Sequence, residues 1–361
     1  MGEIRGLTGL RIYLALWVVF FHIHANPFAP VPAGFFQSLF YYGDNAVPFF
    51  FALSGFLLHY VYGREMSKGI VPISLSYIYK RILKLYPVHL FCLLIFLIMV
   101  GLANHLGYKF SNSSFFSSEA LAENFLLIQA WFVPQKLSWN IVAWSISVEI
   151  FLYLIVFPIL VWKIFYHVKI VNCIVAFMVV FLFRSFEVYT PWIHTGVTFF
   201  VLGFLAYTIS EYLNFLKDRW FTEGLLGFSI CAFIYIVHKG QLNELRLGIA
   251  AFAFLTLIPK SKILTKYLFD NPLCHYWGIR SYSLYMIHVL IQTVIFQVQK
   301  KYPNSFISDF WVWYLLVYFT CLFMGTFLTY KYIEEMVPKQ LKIYQSKVRL
   351  KYHNFVDARS S

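Results

Sequence analysis

Ten apolar stretches divide the chain, at residues 7–25, 45–62, 85–104, 144–163, 170–186, 193–211, 221–238, 245–259, 273–298 and 310–332, with polar residues gathered between them. A helix rises about 1.5 Å per residue, so about 20 apolar residues cross the hydrocarbon of a bilayer. The pattern therefore predicts ten spanning helices, the eighth being the shortest. The stretch 120–133 is also apolar but too short to span, and reads as an interfacial or a re-entrant piece. It lies in the longest polar interval, about 105–143, where Ser111, Asn112, Ser113, Ser114, Ser117 and Ser118 mark a polar loop. No repeat of 20–50 residues and no low-complexity linker interrupts the series.

Composition turns this pattern into a membrane assignment. Of 361 residues, 60% are hydrophobic and 12% charged, about half the charged share of a soluble domain. With a mean hydropathy of +0.68, the chain has too little polar surface to face water, and lipid is its natural solvent. The fold class is all-α, a polytopic transmembrane bundle of about ten helices, and any enzyme site must lie among the helices or at their ends. The first apolar run closes on His22, His24, Asn26 and Pro27 with no small-x-small cleavage pattern, so it reads as an uncleaved first helix.

The net charge of +13 follows the positive-inside rule rather than nucleic-acid binding, because no long basic run with interleaved aromatics is present. With the N-terminus inside, the outer loops hold Lys109, Lys136, Arg184, Lys239, Arg246, Lys300 and Lys301, seven of the 29 lysines and arginines. Arg280 falls within a helix and the other 21 lie inside. That asymmetry places both termini in the cytoplasm and supports an even number of spans. Residues 1–335 form the transmembrane domain, and 336–361 a basic cytoplasmic tail suited to contact with anionic membrane lipid. The five cysteines lie in apolar stretches without a CxxC pair, which reads as buried structural thiols with no disulfide and no metal site.

Ionisable groups inside a bilayer are costly and are functional candidates for that reason. Here they are Arg11, His22, Glu149, Arg280 and His288. Arg11 and His22 are eleven residues apart, close to three helical turns, so they share one stripe about 16 Å long. His24 points elsewhere. Glu149 matches His22 in depth, and a carboxylate there would orient an imidazole and balance its charge; otherwise it forms a structural ion pair with Arg280 or another helix. Arg81 and Lys84, at i and i+3 beside the third helix, are either ordinary inner-face anchors or a phosphate grip for an anionic cosubstrate. No P-loop, GxGxxG, HExxH or GxSxG occurs, which removes nucleotide-fold, zinc-hydrolase and serine-hydrolase readings.

Six blocks in order resemble the acyltransferase-3 family of integral membrane acyltransferases. They are GLTGLRIYLALWVVFFH with Arg11 and His22, VPFFFALSGFLL with Ser54 and Gly55, Arg81-Ile-Leu-Lys84 with Pro87, Trp144 to Glu149, Ser281 to His288 with Tyr285, and Tyr332-Ile333-Glu334. They run from residue 6 to about 335. Lys84 stands where the family has a second arginine, which keeps the charge but loses the bidentate fork. Pro48 stands where many members have aspartate, so no role passes to that position.

The resemblance implies transfer of an acyl group, usually acetyl, from cytoplasmic acyl-CoA to a hydroxyl of a carbohydrate or lipid-linked glycan, as in surface-polysaccharide and lipopolysaccharide O-acetylation. It implies a multi-pass protein of the plasma (inner) membrane with no permanently bound cofactor, acetyl-CoA serving as donor substrate. On this reading His22 is the general base, Glu149 orients or balances it, Arg81 and Lys84 hold the donor phosphates, and Arg11 lines the donor path or steadies the thioester. Ser54, Tyr285 and His288 are further site candidates, and both direct transfer and an acyl-enzyme are open. A glycan transporter or flippase would use the same intramembrane charges, but no inverted repeat or matching pair of broken helices accompanies them.

Overall fold

The computed structural model describes residues 2–25, 34–66, 71–107, 113–134, 137–162, 166, 168–213, 218–302 and 311–344. Each of the ten predicted stretches is mainly helical where described. The helices are α1 (Arg5–His24), a short α2 (Phe35–Tyr41), α3 (Ala46–Met66), α4 (Val71–His105), α5 (Ser118–Leu126), α6 (Ile141–Leu160), α7 (Lys169–Ser185), α8 (Pro191–Ser210), α9 (Arg219–His238), α10 (Glu244–Leu257), α11 (Pro272–Ile279), α12 (Ser281–Lys301) and α13 (Trp311–Thr329). The chain is an all-α, multi-pass membrane protein. Among the described residues the β-structure is a single bridge between Phe132 and Tyr189.

Among the described residues, eight segments are long and apolar enough to cross a membrane. The predicted spans at 170–186 and 245–259 correspond to α7 and α10, which have 17 and 14 residues, or about 25 and 21 Å of helix. The predicted ninth span is broken at Arg280 into α11 and α12. The third begins earlier than predicted, at Val71, because no glycine or proline stops the helix as it runs back through Lys84, Arg81 and Lys80. Much of the tail, 345–361, with part of the polar loop (Ser111 and Asn112 included), lies outside the described residues.

The outer faces invert the soluble pattern. On α7, Ile170, Phe177 and Phe181 are 75%, 68% and 72% exposed, a stripe that only lipid would solvate. Cys92 and Cys274 are buried as expected, whereas Cys231 and Cys321 are exposed. The reading of five buried thiols fails there because an apolar residue of a membrane helix packs inward or faces lipid with equal ease.

Inside, small residues let helices touch. A Cβ on Gly203 of α8 would stand 1.8 Å from the Ala52 carbonyl oxygen of α3, and one on Gly55 would stand 2.0 Å from that of Phe200. The two glycines thus bring α3 and α8 into backbone contact, as small residues do in membrane bundles. Glu223, near the start of α9, accepts hydrogen bonds from Ser261 Oγ (2.8 Å) and from the amides of Lys262, Ile263 and Leu264 (2.7, 2.8 and 3.0 Å). It satisfies amides that begin the next helical turn.

Two departures from plain helices prepare the site. The stretch predicted as interfacial or re-entrant enters the bundle: His89 Nε2 lies 2.8 Å from the Asn124 carbonyl oxygen and Tyr86 OH donates to that of Phe125 at 2.6 Å. His89 is sixteen residues from the far end of α4, so α5 reaches about 24 Å down that helix. The following chain is fixed to α6, with Ala130 N donating to Ser147 Oγ and Trp131 Nε1 to the Ser147 carbonyl. Helix α6 opens into a π-helical turn at Leu152–Val156, and α13 continues into another at Tyr330–Glu335. Such turns recur at functional sites because they re-aim side chains without ending the helix.

Candidate active site

Glu149 and Tyr153 are one turn apart on α6, on the face turned toward α3. Ser54 Oγ donates to Glu149 Oε1 at 2.6 Å, and Tyr153 OH donates to the same oxygen at 2.5 Å. Hydrogen bonds to a carboxylate are among the stronger kind, and these two fix the acid in place. The Arg81 guanidinium stands over the rings of Tyr62 and Tyr153, 5.4 and 5.8 Å from their centroids, within cation–π range.

Ser54, Arg81, Glu149 and Tyr153 line a cavity together with Arg11, Lys84, Ser145, Tyr282 and Tyr285. Its charged lining is three cations, Arg11, Arg81 and Lys84, against the one carboxylate of Glu149. The Nε atoms of Arg11 and Arg81 are buried without a hydrogen-bond partner among the described residues. Buried positive charge in excess of its counter-charge is unstable in a low-dielectric interior unless an anion is supplied.

A second, more open cavity is lined by Glu3, Lys80, Glu334, Glu335 and Lys342, and again by Arg11 and Lys84. Arg11 and Lys84 therefore form part of the wall between the two. Glu334 enters from the π-helical turn after α13 and accepts a hydrogen bond from Ser283 Oγ at 2.6 Å.

The histidines form a separate group. His22 lies three turns along α1 from Arg11, and its ring is 5.0 Å from that of His288, centroid to centroid. His288 is fully buried, with Nδ1 2.5 Å from the Tyr285 carbonyl oxygen. Tyr285 connects the group to the first cavity: its ring is 5.7 Å from that of His288, and its hydroxyl is 2.8 Å from Ser145 Oγ. His24 points to another face, with its ring against Tyr41.

The structure thus brings Arg11, Ser54, Arg81, Lys84, Glu149 and Tyr285 around one cavity and sets His22 beside His288. It does not bring Glu149 to His22. Matching depth on two helices says nothing about which way each face turns, and the Oε1 of Glu149 is directed at Ser54 and Tyr153. Arg280 is not its partner either; that guanidinium lies 3.5 Å from the Tyr276 ring centroid and 4.5 Å from that of Tyr330. Sequence reasoning missed Tyr153, Tyr62, Ser145 and Ser283. Tyr153 carried a signal in its i+4 spacing from Glu149, and Ser145 and Ser283 in their places within the Trp144–Glu149 and Ser281–His288 blocks; Tyr62 carried none.

A family model described as an acyltransferase domain matches residues 4–330. No curated protein and no solved structure gives a match.

Proposed function

The chain belongs to the acyltransferase-3 family, and from that premise we propose that this membrane acyltransferase moves an acyl group, acetyl above all, from cytoplasmic acyl-CoA to a hydroxyl of a cell-surface or lipid-linked glycan. The observation that carries the reading is the cavity in which Arg11, Arg81 and Lys84 outnumber Glu149. Even with Glu334 beside Lys84 and Arg11, the cations stay one ahead, and the phosphates of a CoA ester would balance them.

On this reading the donor enters through the cavity lined by Lys80 and Lys342 and meets the wall of Arg11 and Lys84. Arg81 and Lys84 hold its phosphates, with Tyr62 and Tyr153 fixing the Arg81 plane. The acyl end then reaches along α1 toward His22, about 16 Å from Arg11. His22 takes the proton of the acceptor hydroxyl as the new C–O bond forms. The C–S bond breaks, and the CoA thiolate recovers the proton. Holding donor and acceptor in line supplies much of the rate.

A second route is favoured by one contact. Ser54 Oγ donates to Glu149 within the cavity, so an acyl-Ser54 intermediate is the covalent alternative. Intact mass after donor addition without acceptor separates the two, and an acyl adduct lost in Ser54→Ala selects the covalent one.

The basic-residue asymmetry supports a cytoplasmic Arg11 end, and membership of the family supports the plasma (inner) membrane. The test is purified protein in lipid nanodiscs with acetyl-CoA and a surface-glycan extract. CoA release that depends on the extract, with an acetylated glycan detected by mass spectrometry, is the expected result. Glycan movement across vesicles without CoA release would give the protein to the transporter reading.

A further inference from the structure

We propose that His288 is the positioning partner of His22: its Nε2 accepts the one N–H of the neutral His22 imidazole, fixing that ring's tautomer while the other nitrogen takes the acceptor proton. The inference rests on the acyl-transfer reading above and assigns the role that Glu149 does not fill.

The argument begins with one contact. A carbonyl oxygen only accepts, so His288 Nδ1, at 2.5 Å from the Tyr285 oxygen, carries a hydrogen. A neutral imidazole has one N–H. His288 Nε2 is therefore a bare lone pair, and it is buried with no hydrogen-bond partner among the described residues. An unmet buried acceptor is costly. The ring beside it is that of His22, at 5.0 Å and tilted by 56°. From that separation, small rotations of the two rings bring a nitrogen of each to hydrogen-bond distance.

The backbone holds the pair in register. One turn beyond His288, the Gln292 side chain donates to the His22 carbonyl oxygen, so α12 presents two successive turns to the same point of α1. From α13, Tyr318 OH donates to the His288 carbonyl at 3.2 Å. Tyr285 and Tyr318 are titratable side chains in contact with the pair, and Asp44 lies on the turn whose Gly43 packs against Trp17 and Phe21 of α1. When His22 takes the hydroxyl proton, the imidazolium shares its second N–H with His288 Nε2 until the leaving thiolate is protonated.

Two substitutions divide the functions of His288. Asparagine keeps an N–H for the Tyr285 carbonyl and offers nothing at the Nε2 position. Glutamine reaches that position with an amide oxygen. His288→Asn is expected to fold and bind acyl-CoA as wild type does, to lose about 10- to 100-fold in kcat, and to move the acid limb of its pH–rate profile about one unit lower, because protonated His22 has lost an acceptor. His288→Gln should retain more activity than His288→Asn, with a smaller displacement of that limb.

Imidazole nitrogen resonances of protein labelled with ¹⁵N-histidine, His22 being assigned by the signal lost in His22→Asn, give a readout independent of turnover. His22 should titrate about one unit lower in His288→Asn than in wild type. An unmoved His22 titration, or equal kcat and unshifted profiles in the two variants, would overturn the pairing. Wild-type protein with no acyl transfer at all, but with the His22 titration shifted by His288→Asn, would instead overturn the functional reading and leave the pair.

Discussion

His22 and His24 are two residues apart and have different surroundings, which makes them a controlled comparison. Glutamine keeps much of a histidine's size and polarity but does not take up a proton near neutral pH. His22→Gln is expected to insert normally and to lose at least about 100-fold of the transfer rate. His24→Gln, whose ring lies against Tyr41, should cost only a few-fold; equal losses would show the helix end to be structural. Arg81→Ala removes a cation fixed between two tyrosines and is expected to raise the donor KM about tenfold or more. Lys84→Arg keeps its charge and should change it little, and an unaltered donor KM in well-expressed Arg81→Ala would reduce that residue to an anchor. At this scale the sequence was informative about type and depth. The eleven-residue interval put Arg11 and His22 on one stripe, and burial in an apolar run singled out Glu149 and His288. It was silent on azimuth, since nothing in a single helix says which neighbour its face meets, and so the carboxylate was matched with an imidazole it does not touch.

Between elements, the glycine contacts and the Glu223 turn make the sharpest claims. Gly203→Val forces a branched side chain against the Ala52 carbonyl, where backbone and not a rotamer must yield. The expected cost exceeds the 1–3 kcal/mol or so of ordinary overpacking, read as a collapse of monodisperse protein on size exclusion. Gly224→Ala is the control: its Cβ would meet nothing within 4 Å, and it should be neutral or slightly stabilising. Glu223→Ala strands three amides and a hydroxyl and should lower Tm by several degrees, with kcat retained in the protein that stays folded; an unchanged Tm would count against the capping role. The helices themselves were legible from the apolar runs. Glu223 was not, because one carboxylate near a helix start looks like an interfacial residue, and Gly203 was not, because a small residue in an apolar run leaves no mark on hydropathy. The dip of α5 was legible only as a pair of alternatives, which His89 and Tyr86 decide from another helix.

For the molecule as a whole, the lysine and arginine asymmetry predicts that a cysteine at Lys301 reacts with an impermeant maleimide in intact cells, and that one at Lys262 reacts only after permeabilisation. Strong labelling of position 262 in intact cells would invert the topology. The same experiment at Lys347 reaches the tail beyond the described residues. The wall that Arg11 and Lys84 form between the two cavities has an electrical consequence. A protein that passes an acyl group from one side of an energised membrane toward the other has to open a polar path without short-circuiting the proton gradient across it. Fixed positive charge at a constriction repels hydronium and metal cations while admitting an anion, the same physics by which an arginine in a water pore keeps protons out. The two residues that would draw the donor in would thereby also insulate the membrane against the leak its passage invites.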